Sequence, residues 1–166
     1  MKSFRTTLTA LTAVAALAFA STADASGGVR ARGQNGSVGA VAGQRGVAGR
    51  AAGTTTAADG TVTRTSAAGF KGTNGSRGAR ASTTSVSPDG TVTRNADAAT
   101  SGARGSASSQ GSFTRSADGT ASGSRSTSAT NAVTGNSYSG STTLSDGAVS
   151  HTGTCTNAAG ETITCR

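Results

Sequence analysis

The hydropathy pattern divides the chain near residue 25. Before it, Lys2 and Arg5 precede a largely apolar stretch from Leu8 to Ala20 that ends in the small-residue pattern Ala23-Asp24-Ala25. This is the layout of a secretory signal peptide, with cleavage expected after Ala25 and Ala18-Phe19-Ala20 as a second acceptable site. The apolar stretch is about 13 residues, short of the roughly 20 that a bilayer-spanning helix needs, and nothing downstream is apolar enough to span as a helix. After residue 25 the larger apolar residues are nine Val with Phe70, Phe113, Tyr138, Leu144 and Ile163, scattered among Ser, Thr, Ala and Gly. A conventional packed core is excluded.

What replaces the core signal is a regular punctuation. Asp59-Gly60-Thr61-Val62-Thr63-Arg64 recurs as Asp89-Gly90-Thr91-Val92-Thr93-Arg94, then weakens at Asp118-Gly119 and Asp146-Gly147, with steps of 30, 29 and 28 residues. Between these lie Asn74-Gly75, Arg104-Gly105, Thr134-Gly135 and Ala159-Gly160, so a turn falls about every 15 residues. Asp-Gly and Asn-Gly favour two-residue type I′ hairpins, which need positive φ at both central positions. The intervening segments are rich in Thr, Ser and Val and nearly free of Leu, Glu and Lys, a composition that suits strands and suits helices badly. Pro88 stands just before its turn, where a missing N–H does least harm.

The predicted fold is therefore all-β, an antiparallel meander of long strands with turns about every 15 residues. The alternatives are a β-solenoid with 30-residue coils and a largely disordered chain. The meander is preferred because local turn chemistry explains it, whereas an inward solenoid stack that holds for Val62 and Val92 fails at Ala121. The predicted organisation is residues 1–25 as signal peptide, 26–53 as a Gly-rich flexible arm and 54–166 as a Ser/Thr/Gly-rich β-repeat region. In the arm, Gly recurs at steps of three and four without Pro, which argues against a collagen triple helix. Val38, Val41 and Val47 leave open its pairing onto the sheet. An exposed, gatekeeper-poor sheet also invites self-association by strand addition.

Composition changes this picture in one respect. The chain has 25 Gly, 1 Pro and no Trp, and a net charge of +8; without Lys2, Arg5 and Asp24, 13 basic and 6 acidic residues remain, a net +7. All but one of those cations are Arg, which binds phosphate and carboxylate bidentately. Arg64, Arg94, Arg115 and Arg125 form the candidate polyanion-binding row, for lipopolysaccharide, acidic polysaccharide or extracellular DNA. There is no concentrated basic helix and no interleaving of aromatics, so sequence-specific nucleic-acid recognition is not expected.

Other chemistry is sparse. Cys155 and Cys165 are the only thiols, and in an exported chain they are expected to pair, directly opposite each other in a hairpin centred on Gly160. The rival grouping of His151, Cys155 and Cys165 as metal ligands lacks a fourth ligand and a Cys-x-x-Cys pair. Asp59, Asp89, Asp118 and Asp146 recur without the spacing of calcium loops and are read as turn formers, together with Asn74, Gly60, Gly75, Gly90, Gly119 and Gly147. No phosphate loop, dinucleotide fingerprint or nucleophile elbow occurs, so neither catalysis, a cofactor nor a metal is expected. Asn35-Gly36-Ser37 and Asn74-Gly75-Ser76 match the N-glycosylation acceptor. Thr61-Val62-Thr63, Thr91-Val92-Thr93 and Thr162-Ile163-Thr164 resemble the Thr-x-Thr ranks of some β-solenoid ice-binding proteins, which makes an ice-binding Thr array a minor alternative. The expected role is structural or adhesive, in a secreted, periplasmic or cell-surface protein, with polyanion binding as the alternative.

Overall fold

A computed structural model describes residues 27–165, so the expected signal peptide lies outside the described residues. The chain runs up and down eleven times: β1 (Gly27–Gly33), β2 (Gly36–Gly43), β3 (Gly46–Thr56), β4 (Val62–Gly72), β5 (Arg77–Val86), β6 (Val92–Gly102), β7 (Gly105–Arg115), β8 (Ala121–Asn131), β9 (Ser137–Ser145), β10 (Ala148–Thr156) and β11 (Thr162–Ile163). All lie in one open antiparallel sheet whose spatial order is the chain order. It is the meander that the turn spacing predicts. Val62 and Val92, one repeat apart, are separated by Val86 of β5 and so belong to alternate strands, not to stacked coils.

The Gly-rich segment differs from the expected flexible arm. Residues 27–53 supply β1, β2 and most of β3, paired in continuous register with β4. Its uneven Gly spacing marks hairpin closures: Gly33 pairs with Gly36 around Gln34-Asn35, and Gly43 pairs with Gly46 around Gln44-Arg45. Small residues there allow close backbone approach, and pairing supplies the ordering that side-chain burial does not.

The turns are also of a different kind from the one expected. Only Asp146-Gly147 has positive φ at both central residues, 51° and 79°, as a type I′ turn requires. At Asp59-Gly60, Asp89-Gly90, Asp118-Gly119 and Asn74-Gly75, Gly alone has positive φ. In these, the Gly N–H bonds to the carbonyl three residues back while the pair before and after the turn closes it, as in Gly60 to Ala57 at 3.0 Å and Ala57 to Thr61 at 2.9 Å. That is a type I turn followed by a Gly bulge, in which Asp is spared the left-handed conformation and Pro88 occupies its favoured second position. Asp59, Asp89 and Asp118 each accept the backbone N–H two residues on, at 2.8–2.9 Å.

Because directly paired residues share a face, the register sorts every strand side chain. One face carries mainly Ser, Thr, Ala and Gly and is bound across strands by hydroxyl pairs such as Thr63–Ser85 (2.9 Å), Ser108–Ser128 (2.8 Å) and Thr143–Ser150 (2.6 Å). We call it the small-residue face. The other bears nearly all the bulky side chains from β4 onward. There Phe70 is paired with Gly78 and Phe113 with Gly123, and Tyr138 lies over Gly140 and Gly153. A Cβ built on Gly78 would stand 2.5 Å from Phe70 Cε1. Glycine thus vacates the volume into which each ring lies, and the ring covers backbone that glycine would leave bare. Among the described residues none is buried, whether apolar or polar.

At the C-terminal edge, Cys155 and Cys165 are joined in a disulfide with Cα atoms 5.3 Å apart. They are not directly opposite, as expected, because the Asn157–Glu161 turn sets Cys155 against Ile163. The chain leaves the ladder after Ile163, which lets Cys165 return to Cys155.

Three measurements follow. Gly78→Val should destabilise the sheet by about 1–3 kcal/mol in chemical denaturation, much of it recovered by adding Phe70→Ala, because the clash is with that ring. Reduction of Cys155–Cys165 should release β11, accelerating amide exchange near residues 154–163 at a cost of about 2–3 kcal/mol. The carboxyls of Asp59 and Asp118 are held below their ordinary value of 3.8, first by the backbone N–H and then by the side chain of Thr61 and Thr120. Lowered native values mean stability that is present above the ordinary value and is lost as pH falls through the native one. The melting temperature should drop on acidification below about pH 4, and less steeply in Asp59→Ala/Asp118→Ala.

Candidate functional site

The repeat length and the antiparallel register together determine where charge lies. A step of 30 residues through β3–β6 traverses two strands and two turns and returns to the same rank, on the same face and with the same chain direction. Arg64 and Arg94 accordingly stand in one cross-strand rank with Thr84 between them. Arg50 and Arg80, also 30 apart, stand on the same face two ranks away with Ala68 between them, and Arg30 extends that rank across Gly39. Successive members lie two strands apart, about 9.6 Å at ordinary strand spacing.

Arg115 and Arg125 lie on the same face in other ranks. Arg115 lines up with Val62, Val86 and Val92, and Arg125 with Thr142 and His151. Arg32, on β1, falls in the rank of Arg125 at the opposite side of the sheet. The four arginines singled out in the sequence thus share one face with Arg30, Arg32, Arg50 and Arg80, which sequence reasoning missed. The step from Arg50 to Arg80 was a usable signal, identical to that from Arg64 to Arg94. Arg30 and Arg32 were hidden by the reading of their segment as an arm.

No carboxylate among the described residues shares that face. Asp59, Asp89, Asp118 and Asp146 sit in the turns at one end of the sheet, Glu161 sits in a turn at the other end, and Asp97 lies on the small-residue face, directly paired with Ala81 and Gln110. The remaining cations among the described residues are elsewhere too: Lys71 and Arg77 on the small-residue face, where Arg77 Nε donates to Ser101 Oγ at 3.0 Å, and Arg45 and Arg104 in turns. The result is a segregation of charge by face and by end.

Between the arginines the surface is low. Gly39 and Ala68 separate Arg30, Arg50 and Arg80 along their rank, Ala98 follows Arg80, and a shallow hollow lined by Arg30, Arg50, Ala68, Phe70 and Arg80 opens there. Arg125 Nε donates to Ser109 Oγ at 2.8 Å, which directs that side chain across the strands. His151, on the same face, has Thr142 Oγ1 2.8 Å from Nδ1 and Tyr138 Oη 3.3 Å from Nε2. With Cys155 and Cys165 bonded to each other, the thiolates that a His151 metal site would require are occupied. Among the described residues no three His, Cys, Asp or Glu side chains gather as metal ligands.

The sequence-noted Thr-x-Thr motifs do not become ranks. Thr61 and Thr91 are in turns, bonded to Asp59 and Asp89, while Thr63 and Thr93 stand two strands apart with Ser85 between them.

No protein-family model, no curated protein and no solved structure matches this chain.

Proposed function

We propose that this is a secreted or cell-surface repeat protein with an adhesive, structural role, and that its arginine face holds extended anionic polymers. The observation that carries the reading is that, among the described residues, eight arginines stand on one face and no carboxylate does. Each guanidinium presents a planar fork of donors to carboxylate, sulfate or phosphate. With no acid on the same face to neutralise it, the summed potential there is positive and draws polyanions from solution. The small residues between arginines let a polymer backbone lie close to the sheet, and repeated weak contacts add through multivalency.

Such binding reads charge and not sequence, so lipopolysaccharide, acidic polysaccharide and extracellular DNA are the ligand classes it suits. Export is supported by the Met1–Ala25 pattern and by the Cys155–Cys165 bond, which persists in oxidising compartments. Among the described residues no helix is long and apolar enough to cross a membrane.

Binding to a polyuronate and to lipopolysaccharide, titrated against sodium chloride, tests the reading. The logarithm of the affinity should fall linearly with the logarithm of salt. Arg50→Ser/Arg80→Ser should weaken binding roughly 10- to 100-fold at low salt and reduce that slope by one to two. Arg45→Ser/Arg104→Ser, in the turns, should change it far less. Absence of binding by the unaltered protein at low ionic strength would remove the polyanion role.

A further inference from the structure

We propose that a second copy of this chain stacks on the small-residue face of β1–β5, making a two-layer sandwich with both arginine faces turned outward. Sheets are ordinarily stable when a second layer covers at least one face, and here no described residue is buried. On β1–β5 the small-residue face consists of methyl groups and bare backbone over its centre, with Val29, Ala31, Val38, Ala51, Ala67 and Ala81 all presented on that side. Val29 is 67% exposed. The face's charges on these strands, Lys71 and Arg77, stand at one end of the patch. Side chains this short let two sheets approach closely and interdigitate over their whole width.

The area suffices. Five strands at ordinary spacing span about 24 Å, and the three ranks between the Lys71–Arg77 end and the Thr55–Thr63–Ser85 end span about 20 Å, which gives about 500 Å² per partner and about 1,000 Å² for the pair, the lower bound of specific interfaces. Charge selects the face. The opposite side of the same five strands carries five of the eight arginines and no acid, so two copies repel each other there. A charged partner of another kind would find its counter-charges on that opposite side and little to hold on this one. The hydroxyl-rich half, β7–β10, is left outside the contact because burying its many Ser and Thr side chains costs free energy wherever they lack partners. A stack centred on β3, with β1 over β5 of the second copy, meets both conditions. This inference does not rest on polymer binding, and its readout is separate from it.

Sedimentation equilibrium of the exported protein, without added polymer, should give twice the chain mass. Ala51→Lys/Ala81→Lys should raise the dimer dissociation constant about 100-fold or more, since it buries unpaired charge in the contact. Ala52→Lys, one residue along and on the arginine face, should leave the dimer intact, and circular dichroism should show the same strand content in each. Should the double lysine variant fail to fold, Ala51→Cys provides the second arm: on the central strand β3 it faces its own counterpart and should oxidise to a linked dimer, whereas Ala52→Cys, on the other face, should not. A monomer at tens of micromolar, dissociation by Ala52→Lys but not by the double variant, or an open series of larger species unchanged by the double variant would overturn the proposal. The last outcome would mean growth at strand edges.

Discussion

The cross-strand ladder is the constraint on which everything else rests. In a domain with a packed interior, a slipped strand is penalised because its apolar residues leave the core. Here no such interior exists among the described residues, so register is held by backbone hydrogen bonds, by turns that each fix one offset, and by the seating of Phe70, Phe113 and Tyr138 on glycine. Register in turn decides which side chains share a face. A slip of one residue in β4 would carry Arg64 away from Arg94 and bring Thr63 or Thr65 in its place.

The arrangement of charge follows from that. Asp59, Asp89 and Asp118 occupy turns because Asp satisfies a backbone N–H two residues on, and the turns lie at the ends of the strands. Arginine occupies the strands at matching positions of successive repeats. The eight arginines of the one face are thereby kept apart from the turn carboxylates by the geometry of hairpins. The small-residue face follows the same logic from the other side: alternation leaves Ser, Thr and Ala there in every strand, so short side chains accumulate into a continuous surface.

Much of this was legible in the sequence, and what was not has identifiable causes. Gly60, Gly75, Gly90, Gly105, Gly119, Gly135, Gly147 and Gly160 all have positive φ, and their spacing alone gives the meander. Turn type was misread because Asp-Gly is compatible with both a two-residue turn and a type I turn with a bulge; the choice depends on one residue of loop length, which the dipeptide does not specify. The same single-residue difference displaced Cys155 from Cys165 to Ile163. Strands β1 to β3 were concealed because Gly lowers strand propensity, although Gly33–Gly36 and Gly43–Gly46 were hairpin closures written in plain spacing. The full arginine face needed the register: the 30-residue step from Arg50 to Arg80 was readable, but nothing in the sequence alone tied Arg30 and Arg32 to the same face.

Each strand pairs only with its neighbours in the chain, so no residue depends on a distant part of the sequence for its place. Excising two adjacent strands with their turns would therefore rejoin the sheet with both faces and both ends still matched, whereas excising one would reverse the chain direction of everything beyond it. Evolution can lengthen or shorten such a ribbon in pairs of strands, changing the reach of the molecule while leaving its surface chemistry the same.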